Sequence, residues 1–215
     1  MAGAREAGYW ARESTLYWRP HPRLRFMARV LRKLPQRRLL DLGCSGAILR
    51  RLLPASFVYF GCDIADEARR CLPDGHFLQC DFNESADLRF FADKQIEVIH
   101  IGGLLEYLCR PDRLLDEARK LVAAGAPLVL SIINFESDYY AQPQSHHPKW
   151  IYRPGLNALL RILSDTGWRV GRVWPFTEKG RVKQLWLHAR TKCLGLHHSS
   201  VRCSARQFIL LAHAV

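Results

Sequence analysis

Short apolar runs alternate with segments of helical periodicity along most of the chain. The runs predict buried strands over residues 37–42, 57–64, 75–81, 96–103, 126–135, 168–176 and 205–215. The other segments predict helices over residues 22–34, 45–54, 65–73, 84–94, 111–125 and 153–167. Because parallel strands need crossover helices, this order predicts a three-layer α/β fold. The runs are continuously apolar, which is typical of a mostly parallel sheet with helices on both faces.

Two segments interrupt this alternation. Residues 136–152 are rich in aromatic side chains and histidines and follow the fifth strand, and residues 177–204 are polar and basic. Long loops in compact domains are usually functional or disordered. We predict that 136–152 is an ordered loop over the site, and the basic segment has no structural explanation beyond attraction to an anionic acceptor.

Glycines and acids recur at the predicted carboxyl ends of the strands, where ligands of open α/β sheets bind. The first strand ends in Asp41 and the turn Gly43-Cys44-Ser45-Gly46, and the second ends in Asp63. The turn allows close approach of a ligand, and free N–H groups of the next helix are expected to face the site. An acid placed like Asp63 suits ribose hydroxyls.

The third and fourth strands continue this series. Asp81 and Phe82 follow the third strand, where a hydrogen-bond acceptor beside an aromatic ring suits an adenine. Gly102 and Gly103 end the fourth strand and are expected to leave room for a ligand. Glycines or acids at four successive strand ends favour a binding site over simple packing.

These motifs resemble those of the class I S-adenosylmethionine-dependent methyltransferases, in the broad small-molecule group. LLDLGCSGA resembles the first family motif, FGCDIADEA resembles the segment with the ribose-binding acid, and FLQCDFNE resembles the motif whose acid reaches the adenine amino group. The similarity covers residues 36–135, with a looser continuation beyond. It implies a Rossmann-like, seven-stranded sheet whose last strand is antiparallel, S-adenosylmethionine as cofactor and S-adenosylhomocysteine as product.

The residues that the resemblance and the strand ends assign to the cofactor lie in four clusters. They are Asp41, Gly43, Cys44, Ser45, Gly46, Asp63, Ile64, Asp81, Phe82, Ile101 and Gly102. The chain departs from the family where Ser45 and Ala47 replace frequent glycines and where Glu106-Tyr107 replaces a frequent Glu-His pair. The dinucleotide pattern G-x-G-x-x-G is not met, which disfavours a nicotinamide-dependent dehydrogenase.

Catalytic residues are harder to infer, because methyl transfer depends mainly on positioning the acceptor in line with the sulfonium carbon. The candidates are His146, His147 and Tyr107, and the next are four aromatic residues. These four are Tyr139, Tyr140, Trp150 and Tyr152. Near the N-terminus, Arg19 is a candidate partner for the cofactor carboxylate.

The resemblance and the periodicity together predict one methyltransferase domain over residues 1–215. Its parts are a helical cap (1–35), a cofactor-binding core (36–135), an acceptor lid (136–152) and a substrate-side half (153–215). Hydrophobic residues make up 48% of the chain and charged residues 24%, an ordinary balance for a globular protein. No apolar stretch is long enough to span a membrane, and no signal peptide is evident.

The cysteines and the charge distribution bear on the compartment of the protein and on the charge of its partner. The seven cysteines include no C-x-x-C pair, which favours free thiols in the cytoplasm and no metal site. Residues 1–51 carry 12 Lys+Arg against 3 acids, and residues 141–215 carry 12 against 2, within a net charge of +12. This surplus favours an anionic partner.

The sequence therefore predicts an S-adenosylmethionine-dependent methyltransferase that acts on a small molecule or a sugar unit. One alternative is an RNA methyltransferase that uses the basic flanks, although no appended RNA-binding module is present. A second is a non-catalytic, cofactor-binding partner that regulates another enzyme. The sequence fixes neither the oligomeric state nor the methylated atom.

Overall fold

The protein is described by a computed structural model that covers residues 20–140, 142, 149–178 and 180–215. Its strands are β1 (Arg38–Leu42), β2 (Val58–Asp63), β3 (Phe77–Gln79), β4 (Val98–Gly102), β5 (Pro127–Ile133), β6 (Trp168–Phe176) and β7 (Gln207–Ala214). Its α-helices are α1 (Pro22–Arg32), α2 (Pro111–Lys120), α3 (Leu156–Asp165), α4 (Arg181–Leu194) and α5 (Ser199–Ser204). Helices α1 and α2 both begin at a proline, which suits the first turn because proline lacks an N–H.

The strands form one seven-stranded sheet in the order β3-β2-β1-β4-β5-β7-β6. Strand β7 is antiparallel to both of its neighbours, and the pairs from β3 to β5 are parallel. This confirms the predicted Rossmann-like sheet with an antiparallel last strand. The strand order reverses between β1 and β4, and such a switch point opens a crevice at the carboxyl ends of the strands.

Helices cover both faces of the sheet. On one face, α1 buries Met27, Ala28 and Leu31 against apolar side chains of β1, β2 and β5. On the other face, α2 and α3 pack onto the sheet, and the Trp168 indole donates a hydrogen bond to the Leu115 carbonyl at 3.1 Å. The position of α1 matters for function, because its first turn lies beside the crevice.

Three predicted helices are shorter than expected. Single-turn 3-10 helices over Ile48–Leu52, Glu67–Cys71 and Arg89–Phe91 replace the predictions over 45–54, 65–73 and 84–94. Left-handed backbone at Ala47 delays the first of them, and Pro54 follows too soon for a longer helix.

The basic segment 177–204 contains two helices, α4 and α5, so the expectation of a loop was wrong there. Among the described side chains of α4, only that of Leu187 is buried, with 1% of its surface exposed. Gln184 fixes the helix start, since its side chain accepts from the Thr177 N–H at 2.8 Å and donates to the Pro175 carbonyl at 3.1 Å. With so little apolar surface buried, α4 lacks the periodicity that would have predicted it.

Candidate active site

A cleft lies at the carboxyl ends of β1, β2 and β4, below the first turn of α1. Ten predicted residues line it: Asp41, Gly43, Cys44, Ser45, Asp63, Ile64, Asp81, Phe82, Gly102 and Tyr107. Two predicted residues do not: Ile101 is fully buried in the core, and Gly46 faces open space. His146 and His147 lie outside the described residues, as does Arg19.

The turn after β1 is built differently from a phosphate-binding turn. The N–H groups of Gly43 and Cys44 both donate to the Cys62 carbonyl, at 2.8 and 3.2 Å, and the Ser45 N–H donates to Asp63. The N–H groups of these three turn residues are therefore bonded within the protein. Gly43, Ser45 and Ala47 all have positive φ, so the chain needs small residues here.

The Asp63 carboxylate in the cleft is oriented by two backbone N–H groups. Its Oδ2 accepts from the Ser45 N–H at 2.7 Å, and its Oδ1 accepts from the Ala65 N–H at 2.9 Å. Burial raises the pKa of Asp63 to about 6, although both N–H groups oppose that rise. Each carboxylate oxygen keeps a further lone pair that a ligand hydroxyl can use.

Asp81 and Phe82 stand at the next strand end, and Asn83 connects them to the loop after β4. The Asn83 amide donates to the Tyr107 carbonyl at 3.1 Å and accepts from the Cys109 N–H at 2.8 Å. The sequence analysis missed this role of Asn83. No local sequence pattern marks Asn83, because its partners, Tyr107 and Cys109, come from a distant part of the chain.

A buried polar chain lies under the cleft. Asp41 and His100 are register partners on β1 and β4, each 2% exposed, and His100 Nδ1 lies 2.6 Å from Asp41 Oδ1. The Tyr59 hydroxyl donates to the other oxygen of Asp41. Sequence reasoning missed both His100 and Tyr59, since each is a single residue within an apolar strand.

Gly102 lines the cleft, and the absence of a side chain there also leaves room for the His100 imidazole. A Cβ at Gly102 would lie 2.8 Å from Cε1 of His100, so the imidazole occupies that space. The next residue, Gly103, has a positive φ and is similarly close to Arg23.

Arg23, in the first turn of α1, brings a cation to the cleft. Its Nη2 lies 3.4 Å from the Gly102 carbonyl oxygen, and its Nε is buried without a hydrogen-bond partner among the described residues. We had expected such a cation at Arg19. The helical pattern of 22–34 made Arg23 indistinguishable from its solvated neighbours.

Glu106 ties the segment after β5 to the cleft. Its buried Oε1 accepts from the Ile133 N–H at 2.8 Å, and its backbone carbonyl accepts from the N–H groups of Ile151 and Tyr152. Burial raises the pKa of this carboxyl. Since Tyr107 is the next residue and lines the cleft, residues 149–152 lie beside the site.

Three of the four predicted aromatic residues, Tyr139, Tyr140 and Trp150, form a cluster with Phe135 after the end of β5. The rings of Phe135, Tyr140 and Trp150 are packed edge-on or tilted, with centroids 5.3 to 6.3 Å apart. The guanidinium of Arg206 lies 3.6 Å from the ring centre of Tyr139. Burial raises the pKa of Tyr140, and the positive charges of Arg206 and Arg23 oppose that rise.

The ranges that the structure describes contain neither a metal site nor a membrane-spanning helix. There, no group of three or more His, Cys, Asp or Glu side chains is arranged to hold a metal ion. None of the described helices combines the length and the apolar character that crossing a membrane requires. All seven cysteines are free thiols.

The fold and part of the sequence match known proteins. Residues 40–130 match the methyltransferase domain family. A chain in the complex between the Haloferax volcanii Trm112 methyltransferase activator and a methyltransferase is 17% identical, with 96% of this chain and 94% of that chain covered and a TM-score of 0.68. An S-adenosylmethionine-dependent methyltransferase from Mesorhizobium loti is 18% identical, with 89% and 96% covered and a TM-score of 0.60.

A third solved structure contains ligands. Geranyl diphosphate C-methyltransferase from Streptomyces coelicolor, in complex with Mg²⁺, geranyl diphosphate and S-adenosylhomocysteine, is 15% identical. The alignment covers 84% of this chain and 72% of that chain, with a TM-score of 0.55. A comparison with curated proteins found no match.

Proposed function

We propose that this chain transfers the methyl group of S-adenosylmethionine to a small molecule or a sugar unit, since residues 40–130 match the methyltransferase domain family and the sheet has the fold of S-adenosylmethionine-dependent methyltransferases. The observation that carries the proposal is the cleft itself. Acids end β2 and follow β3, a tight turn ends β1, and Tyr107 lines the same opening next to Glu106, whose carbonyl accepts from the N–H groups of Ile151 and Tyr152.

The described residues fit the cofactor in its adenosine half. Asp63 presents carboxylate oxygens that two backbone N–H groups already orient, as binding to a ribose diol requires. Asp81 offers an acceptor for an adenine amino group, and the buried Phe82 ring gives an apolar surface beside it. We call the ends of β1 to β4 the cofactor side of the cleft.

When bound, S-adenosylmethionine supplies a methyl group already activated on a sulfonium sulfur. The protein then needs to hold the acceptor atom in line and exclude water. We assign this work to the acceptor side, which we define as residues 134–140, 149–152 and Tyr107. The Tyr107 hydroxyl is proposed to orient the acceptor, and His146 and His147 stay proposals as proton acceptors.

An anionic acceptor suits the charges of this region. Arg23 reaches the cleft, Arg206 stacks on the aromatic cluster, and residues 141–215 carry 12 Lys+Arg against 2 acids. The Streptomyces coelicolor enzyme shows that the same fold can hold a diphosphate-bearing small molecule. A carboxylate, sulfate or phosphate on the acceptor would match these cations.

The acceptor class can be tested with methyl-labelled S-adenosylmethionine and a size-fractionated cell extract. We expect label in the small-molecule fraction, with anionic compounds among its acceptors. Transfer only to ribonuclease-sensitive material would contradict the proposal, and cofactor binding without transfer to any fraction would favour the non-catalytic alternative. Tyr107→Phe should lower kcat/KM for the acceptor about tenfold with unchanged S-adenosylhomocysteine affinity.

RNA is the second candidate acceptor, favoured by the exposed basic surface of α4. Lys183 and Lys192 are exposed there, and Arg190 packs over the half-exposed Trp186 ring at 4.3 Å. RNA binding through these groups would weaken steeply with salt, because each neutralised phosphate releases counterions. An affinity for RNA that is independent of Lys183 and Lys192 would remove this candidate.

A further inference from the structure

One ring nitrogen under the cofactor side has no partner. His100 is 2% exposed and lines the cleft, and its Nε2 is buried without a hydrogen-bond partner among the described residues. A buried polar atom without a partner is costly and uncommon in native folds. Such an atom at the wall of a binding cleft points to a ligand group that would supply the missing hydrogen bond.

The surroundings of His100 fix its orientation. Asp41 accepts at Nδ1, and the Tyr59 hydroxyl in turn holds Asp41. The absence of a side chain at Gly102 provides the space in which the ring lies. Because Asp41 holds Nδ1, Nε2 is the ring nitrogen left to bond with a ligand.

The position of His100 in the sheet indicates which part of a ligand it meets, and this step rests on the proposed function. Asp63 ends β2 and Asp81 follows β3, so the adenosine half lies over that side of the strand order. Strands β1 and β4 lie on the opposite side of the cleft. The amino-acid tail of the cofactor therefore extends over β1 and β4, towards His100 and Arg23.

We propose that Nε2 of His100 accepts a hydrogen bond from the α-ammonium group of the cofactor tail, while the guanidinium of Arg23 binds its carboxylate. The charges agree with this pairing. Asp41 places a negative charge behind the imidazole, on the ammonium side. Arg23 has only donors, and its buried Nε lacks a partner among the described residues.

The test uses His100→Asn, because the asparagine amide nitrogen can replace Nδ1 in the bond to Asp41 while Nε2 is lost. Calorimetry would compare three ligands: S-adenosylhomocysteine, its analogue without the amino group, and 5′-methylthioadenosine, which lacks the whole amino-acid tail. We expect the variant to bind S-adenosylhomocysteine about 10- to 100-fold more weakly, as for loss of a charge-assisted bond. Affinity for the other two ligands should stay within about twofold of wild type.

Two results would overturn the proposal. Unchanged S-adenosylhomocysteine affinity would show that His100 does not contact the tail, and equal losses for all three ligands would show a structural role only. Arg23→Gln is the matched variant, and it should weaken S-adenosylhomocysteine but bind an analogue without the carboxylate as wild type does. If wild-type protein binds none of the adenosine ligands, the proposed function fails instead, which separates the two claims.

If His100→Asn does not fold, measurements on the wild-type protein can still test the proposal. Wild-type protein should bind S-adenosylhomocysteine about tenfold or more tightly than the analogue without the amino group. The His100 ring signals in NMR spectra should shift with the first ligand and not with 5′-methylthioadenosine. Equal affinities for the amino and deamino ligands, or equal shifts with both nucleosides, would contradict the proposal.

Discussion

The acids on the cofactor side are held by hydrogen bonds, whereas the aromatic rings on the acceptor side pack against one another. Asp63 binds two N–H groups, and Asp41 binds Tyr59 and His100. On the acceptor side, Trp150 contacts two other rings. Hydrogen bonds fix atoms in one geometry, but ring packing tolerates adjustment. We infer that one side is built for a single cofactor and the other is adaptable to its acceptor.

The largest effect should follow from breaking the buried chain on the cofactor side. Asp41→Ala removes the acceptor of both Tyr59 and His100, so it should lower the free energy of unfolding by about 3 kcal/mol. Chemical denaturation would measure this loss. Asp81→Ala is the control, since its half-exposed carboxylate can be replaced by water and should cost less than about 1 kcal/mol. Similar losses in both variants would remove the distinction between the buried and solvated acids.

On the acceptor side, Trp150→Ala should affect function more than cofactor binding. The change removes two ring contacts and loosens the segment beside Tyr107. We expect about a tenfold or larger loss of kcat/KM for the acceptor, because misplacement of the acceptor lowers the rate of an in-line reaction. Affinity for S-adenosylhomocysteine should stay within about twofold. A parallel loss of cofactor affinity would mean that the two sides are not independent.

Cofactor binding should depend on pH through Asp63, whose pKa is raised to about 6. The carboxylate accepts from ribose hydroxyls, so a bound cofactor favours the ionised form. Affinity should be full above about pH 7 and fall up to tenfold per unit as the pH drops below about 6. Calorimetry in buffers of different ionisation enthalpy should show proton release at pH 6 and none at pH 8. Asp63→Asn should remove this dependence, and a persistent proton release in that variant would assign it to another group.

The smallest effect is expected at Glu106, which joins the two sides. Burial raises its pKa, so the folded protein binds this proton more tightly than the unfolded chain and loses stability as pH rises above 4.5. Glu106→Gln keeps an acceptor for the Ile133 N–H and removes the charge. Its unfolding free energy relative to wild type should therefore increase from pH 4.5 to 7. Thermal unfolding across this range would check the trend, and the opposite slope would show that the charge stabilises the fold.

The sequence signals for the residues that line the cofactor side are local, and the structure brings these residues together in one cleft. Asp63 and Asp81 each follow an apolar run, and strand ends that share an edge must meet. The strand 168–176 was predicted with the observed bounds, although it is the edge strand β6 and includes exposed positions between its apolar residues. Such features need only a few neighbouring residues to be recognised.

Features that depend on distant partners could not be predicted. His100 acquires its role from Asp41, 59 residues away, through the register of β1 and β4. Glu106 was interpreted as part of an altered family motif, whereas the structure shows it bonded to Ile133. Helix α4 was missed because it buries too little apolar surface to produce a periodic pattern.

The most direct test of this account is calorimetric titration of S-adenosylhomocysteine into wild-type protein, Asp63→Ala and Trp150→Ala. Asp63→Ala loses the charged acceptor for the ribose and leaves the Ser45 and Ala65 N–H groups without their partner. We predict clear binding by wild type and Trp150→Ala, and a loss of about 100-fold or more in Asp63→Ala. Absence of binding by wild-type protein, or equal affinity in wild type and Asp63→Ala, would contradict the assignment of this cleft to the cofactor.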